Sequence, residues 1–209
     1  VSRTALNVAA TMVTLGAKPG WQERLPAGLP ELSEALLLVS GQFPFTVRAL
    51  KWSRRRWAVR LADLGESLQP GSFEGLGRRK IFMNDQVLTA IADGATQVLV
   101  LGAGFDTLCL RLAPSHPEVQ FFELDHPDTG KVKARAVDKL GRPDNMTLLA
   151  SDLSENSLAA VLSACETGFP GTVLPDEVFS LPAGLVQAGV AGVVASLWAV
   201  NDQSTMMLM

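Results

Sequence analysis

Between residues 97 and 150 the chain alternates short apolar runs with longer stretches of helical period. Gln97-Val98-Leu99-Val100-Leu101 is a compact apolar run broken by Gly102, and it predicts a buried strand over 97–101. Val119-Gln120-Phe121-Phe122-Glu123-Leu124-Asp125 predicts a second strand, stopped by His126-Pro127, and Asn145 to Ala150 a third. Between them lie a helix over 106–113, ended by Pro114 and Pro117, and a charged helix over 128–140. Strand, helix, strand, helix, strand predicts an α/β fold: a Rossmann-like parallel sheet with helices on both faces. Upstream the pattern is helical. Residues 4–16 carry an apolar stripe of Leu6, Ala9, Ala10, Val13 and Leu15, with Ser2 or Thr4 as cap. A second helix starts at Pro30, with acids in its first turn, and Phe43-Pro44-Phe45 breaks it. After the loop Gln69-Pro70-Gly71-Ser72, residues 73–93 predict a third helix, so an N-terminal helical segment over 1–94 leads into the sheet.

The junction Leu101-Gly102-Ala103-Gly104-Phe105-Asp106-Thr107 carries the first candidate chemistry. Two glycines between strand and helix let the backbone approach a ligand, and a helix start offers N–H donors to it. The third glycine of G-x-G-x-x-G is absent, with Thr107 in its place, and a ligand-free strand–helix turn has the same pattern. Neighbouring strand ends sharpen the reading. In a parallel sheet the ligand lies over the carboxyl ends, where Gly102–Gly104, Glu123 with Asp125, and Asp152 all fall. Asp125 lies 23 residues beyond Gly102, near the spacing of a carboxylate that accepts both ribose hydroxyl protons.

Charge adds less. The net charge of −3 gives no general drive toward nucleic acid or anionic lipid. The run Lys51-Trp52-Ser53-Arg54-Arg55-Arg56-Trp57 could stack and neutralise a nucleic-acid strand; the favoured reading is a solvated helix face with Trp anchored below. Arg78-Arg79-Lys80 cannot share one helix face, so at least one of these cations points toward the core or a ligand. Two cysteines, Cys109 and Cys165, make no disulfide framework and predict a reducing, cytoplasmic setting. Cys109 reads as core, and His126 as a surface residue after a strand end. Residues 4–17 and 183–200 are uncharged, but polar residues dilute both, so neither a signal peptide nor a membrane span is the expected reading.

Val98 to Leu112, Phe121-Phe-Glu-Leu-Asp-His-Pro127 and Ser151-Asp-Leu153 together resemble the class I S-adenosylmethionine-dependent methyltransferases of the leucine carboxyl methyltransferase type. The opening Val1 to Ala10 and Arg79 to Asp85 are similar as well, so the resemblance covers about residues 1–160. It implies S-adenosylmethionine as cofactor. Gly102 and Gly104 would line its methionine end, with Asp106 in the same turn, and Arg79 would pair with its carboxylate. Asp125, with Glu123 beside it, would bind the ribose, and Asp152 and Leu153 would hold the adenine. The implied reaction is methyl transfer by in-line displacement to a carboxylate or hydroxyl oxygen of a small molecule or peptide. No metal, nucleic acid or membrane partner is expected.

Beyond residue 160 the expected family pattern gives way. Val161-Leu-Ser-Ala-Cys-Glu-Thr-Gly168 and the following stretches to Thr205 resemble the C-terminal part of CHAT domains, the caspase-like cysteine protease type. In that family Cys165 would be the nucleophile, but no matching histidine motif precedes it here. The chain is therefore expected to join a methyltransferase-like part, 1–160, to a CHAT-like fragment, 161–209. Strands over 159–164 and 191–197, with a helix over 176–188, would complete the sheet. The alternatives to an active methyltransferase are a cofactor-binding but inactive chimera and a protease-like or interaction fragment.

Overall fold

A computed structural model of the chain describes residues 1–42, 56–68, 71 and 73–152. The chain divides into two compact units. All the secondary structure described lies in the first, within Val1–Ala150, while Ser151 and Asp152 belong to the second.

The element order is α1 (Arg3–Gly16), α2 (Leu29–Ser40), α3 (Arg56–Leu68), α4 (Glu74–Ala92), β1 (Gln97–Leu101), α5 (Leu108–Leu112) with a 3-10 turn over Ala113–Ser115, β2 (Gln120–Asp125), α6 (Pro127–Leu140) and β3 (Met146–Ala150). The three strands are parallel in the order β1-β2-β3, with Val100 beside Glu123 and Glu123 beside Leu148. This is the α/β arrangement expected from the sequence. Side chains of α5 and α6 pack in one cluster with Phe121 of β2, so both helices cover the same face. Phe122 and Leu124, on the other face of β2, are buried too, so both faces are covered.

Local chemistry explains the boundaries. Ser2 caps α1, its hydroxyl accepting the Ala5 N–H at 3.3 Å. Pro30 sits in the first turn of α2, and Gly41 ends it at φ 66°, a left-handed cap. Helix α5 is shorter than the predicted 106–113. Asp106 uses its carboxylate to accept the Leu108 N–H, which delays the helix to Leu108, and Pro114 tightens its exit into a 3-10 turn. His126 caps α6, its Nδ1 accepting the Asp128 N–H at 3.2 Å, and its side chain is exposed.

The core has two parts. Leu6, Ala9 and Val13 of α1 and Leu36 and Leu37 of α2 pack in one cluster with Cys109, Phe121, Ala136 and Val137. On the other side of α1, Met12 and Leu15 meet Trp21, Leu25, Leu29 and Leu76. The predicted α1 stripe is thus right at Leu6, Ala9, Val13 and Leu15; Ala10 is only half-buried, and Met12 joins the core. Close packing fixes α4 against this second part, since a Cβ on Gly77 would fall 2.4 Å from the Trp21 ring. Polar links hold the same end. Lys18 pairs with Asp63 at 2.5 Å and Glu74 at 2.9 Å, and Glu66 accepts the N–H groups of Gly71, Phe73 and Glu74 ahead of α4.

No helix among the described residues is long and apolar enough to cross a membrane. The strands expected over 159–164 and 191–197, the helix over 176–188 and Cys165 lie outside the described residues. So do residues 51–55 of the basic run.

Candidate functional site

The turn after β1 is built as its glycines suggest. Gly102 has φ 63° and Gly104 φ 50°, conformations that a side chain would strain. A Cβ on Gly102 would meet none of the described residues within 4 Å, so none of them crowds the backbone there. A Cβ on Gly104 would lie 2.9 Å from the Ala5 Cβ, so α1 closes over that side of the turn. The start of α1 is also tied to α6, where the Ser2 N–H donates to the Thr129 hydroxyl at 3.0 Å.

Asp125, at the carboxyl end of β2, reaches across to this turn. Its Oδ2 accepts the Gly104 N–H, and its Oδ1 accepts the His126 N–H at 2.7 Å. The carboxylate is thereby oriented, and each oxygen keeps a second lone pair for a ligand hydroxyl. The Ala103 N–H donates to the Leu124 carbonyl at 3.2 Å, which binds the turn to β2 a second time.

Asp106 forms the other side of the turn. Its Oδ2 pairs with the Lys80 ammonium, and its Oδ1 accepts the Leu108 N–H at 2.9 Å. Burial pushes the Asp106 pKa up. The positive charges of Lys80 and Lys133 and these hydrogen bonds outweigh that, and hold it well below the usual carboxylate range. A second link joins α4 to the turn. Arg111 donates to Asn84 Oδ1 at 3.0 Å and to the Thr107 hydroxyl at 3.3 Å, while burial lowers the guanidinium pKa.

Gly102, Gly104, Asp106 and Asp125 are thus brought together. Two of the expected residues are not. Arg79 is exposed, and Lys80 is the member of the 78–80 triplet that reaches the turn. Glu123 lies in the interior, its side chain 1% exposed, with Oε2 2.5 Å from Lys133 Nζ. Among the described residues neither group finds a hydrogen-bond partner of good geometry, so the pair is an ionic contact. Burial raises the Glu123 pKa, against the pull of Lys133. The fully buried Cys109 is nearby, and burial, with the Glu123 charge added, raises its thiol pKa well above the ordinary value. Asp152 is half-buried and belongs to the second unit; Leu153 lies outside the described residues. An open depression of about 260 Å³, lined by residues of α2 and α6 such as Val39, Arg135 and Lys139, shares no residue with the turn.

Lys80 carried a readable signal. Gly77, Lys80, Asn84, Val87 and Ile91 recur at helical spacing, which puts Lys80 on the inward stripe of α4.

Comparison with known proteins decides the family. The model of the leucine carboxyl methyltransferase family matches residues 35–173. The chain belongs to that family. The match passes residue 160 and takes in Cys165, so the junction expected there falls within the family's own span. The comparisons give the CHAT-like reading of the later residues no support. Among curated relatives, the "Putative S-adenosyl-L-methionine-dependent methyltransferase YktD" of Bacillus subtilis is 41% identical over 54 residues, 26% of this chain and 16% of that protein. The "Putative S-adenosyl-L-methionine-dependent methyltransferase" of Mycobacterium tuberculosis H37Ra is 34% identical over 89 residues, 42% of this chain and 25% of that protein. The matched part spans a quarter or less of these relatives' length.

Proposed function

We propose that this member of the leucine carboxyl methyltransferase family binds S-adenosylmethionine at the turn after β1 and serves methyl transfer to an oxygen nucleophile, a carboxylate or hydroxyl of a small molecule or peptide. The observation that carries this reading is the joint made by Gly104 and Asp125. A strand-end carboxylate is fixed on the N–H of a glycine turn in which none of the described residues crowds Gly102. That is a fitting cradle for a ribose and the chain attached to it. S-adenosylmethionine supplies a methyl group on a sulfonium, which is already activated for displacement.

The chain's own residues then have to bind and align. Asp125 accepts the ribose hydroxyls, and Gly102 and Gly104 admit the methionine end. A carboxylate acceptor is ionised at neutral pH, so it needs no base, and alignment of the reacting atoms is the main task. The relatives' printed names point to the same cofactor.

Calorimetry of the 209-residue chain with S-adenosylmethionine and S-adenosylhomocysteine tests the reading. Saturable heat with both is expected, followed by methyl transfer to carboxylate acceptors. Absence of binding to either ligand contradicts the cofactor assignment. Binding with no turnover on carboxylates or alcohols contradicts the acceptor class and leaves a cofactor-binding module.

A further inference from the structure

We propose that a basic stripe on α6, with the depression beside it, is a docking surface for an acidic peptide segment in extended conformation. Lys131, Arg135 and Lys139 recur every four residues, so they share one face of α6. All three are exposed, and none has an ion pair among the described residues. The charges around them are engaged elsewhere. Lys133 pairs with Glu123 in the interior, Asp138 pairs with Arg142 past the helix end, and Asp128 stands in the first turn at the positive end of the helix.

The depression between α2 and α6 lies against this stripe. Arg135 and Lys139 give it a charged side, and Val39, Val132 and Ala136 give it apolar surface. Ser40 lines it as well, but its hydroxyl already donates to the Leu37 carbonyl at 2.8 Å, so the cations carry the attraction for an anion. The positive charge is local, since the whole chain carries −3. Spacing selects the partner. Successive cations of the stripe are about 6 Å apart along the helix axis. Side chains on one face of an extended peptide repeat at about 6.7 Å. Acids at every second residue therefore meet all three cations nearly in step. Glutamate suits the surface better than aspartate, because its longer stem can lie on Val39, Val132 and Ala136 while its carboxylate reaches the cations. A nucleic-acid strand is disfavoured, since no aromatic side chain lines the depression to stack a base. This surface does not depend on the cofactor reading.

Calorimetry of the 209-residue chain at low ionic strength tests the proposal with an end-blocked pentapeptide that has glutamate at its first, third and fifth positions and serine between. Saturable binding is expected, weakening at least about 10-fold as salt rises from about 0.02 to 0.2 M and screens the exposed charges. The same peptide with glutamine for glutamate is expected to bind at least about 10-fold more weakly. Arg135→Glu with Lys139→Glu should cost as much; Arg135→Gln with Lys139→Gln decides the question if the reversal does not fold. Arg24→Glu with Arg78→Glu makes the same change of net charge on other elements and should leave binding within about twofold. Equal loss in the two charge-reversed pairs would show that overall charge does the binding, and overturns the proposal. So do an absence of saturable binding, equal binding of the glutamine peptide, or tighter binding of a thymidine pentanucleotide than of the glutamate peptide.

Discussion

Two acids on β2, two residues apart and on the same face of the strand, meet opposite surroundings. Glu123 is enclosed between the sheet and the helices α5 and α6, beside Cys109 and against Lys133. Asp125 stands at the strand's carboxyl end, bound by the N–H groups of Gly104 and His126. Spacing made Asp125 a plausible ribose ligand, and the family resemblance set Glu123 beside it. Burial separates them: an enclosed charge must be matched inside the protein, while a charge at the rim can be matched by a ligand. The interior pair is a stability element, and the rim is the proposed binding element.

Variants can break this division, and the interior should give the largest effect. Lys133→Met leaves Glu123 charged and unmatched, and denaturant unfolding should show a loss of about 3–5 kcal/mol. Replacing both members, Glu123→Leu with Lys133→Met, should recover most of that loss, because apolar packing substitutes well for a buried ion pair. A double variant as unstable as Lys133→Met alone would mean that the pair does more than neutralise itself. At the rim the expected stability effect is smaller. Gly104→Ala puts a side chain at φ 50° and 2.9 Å from Ala5, so about 1–3 kcal/mol should be lost. Thermal unfolding would register it, and an unchanged midpoint would contradict the closeness of α1 to the turn.

The smallest effect is a pH slope. Asp106 has a folded-state pKa held below its unfolded value, so the unfolded chain binds its proton first as pH falls. Its contribution is complete above about pH 4–5 and is lost as acid approaches the folded-state value. Asp106→Asn should flatten stability against pH in the acid range by up to about 1.4 kcal/mol per pH unit. An unaltered slope would show that Lys80 does not hold the carboxylate ionised.

The sheet was legible because each strand is a short apolar run closed by a residue that stops it: Gly102, His126-Pro127, and Ser151 after Ala150. The α1 cap and stripe were legible for the same kind of reason, a hydroxyl ahead of a 3.6-residue period. The length of α5 was not, because Asp106 competes for the backbone N–H that would have started it two residues earlier. At the site, Gly102, Gly104 and Asp125 followed from spacing. Glu123 looked like Asp125 in sequence because nothing local reveals its partner: Lys133 sits on the next helix in a run that reads as solvated charge. Among the cations, the family resemblance pointed to Arg79, while the phase of α4 turns Lys80 to Asp106.

The most direct measurement compares S-adenosylhomocysteine affinity by calorimetry in two proteins: Asp125→Ala, and the double variant Glu123→Leu with Lys133→Met. The account predicts a loss of about 10- to 100-fold for Asp125→Ala and an affinity within about threefold of the unsubstituted chain for the double variant. An Asp125→Ala chain that binds undiminished, or a stably folded double variant that has lost the ligand, would contradict it.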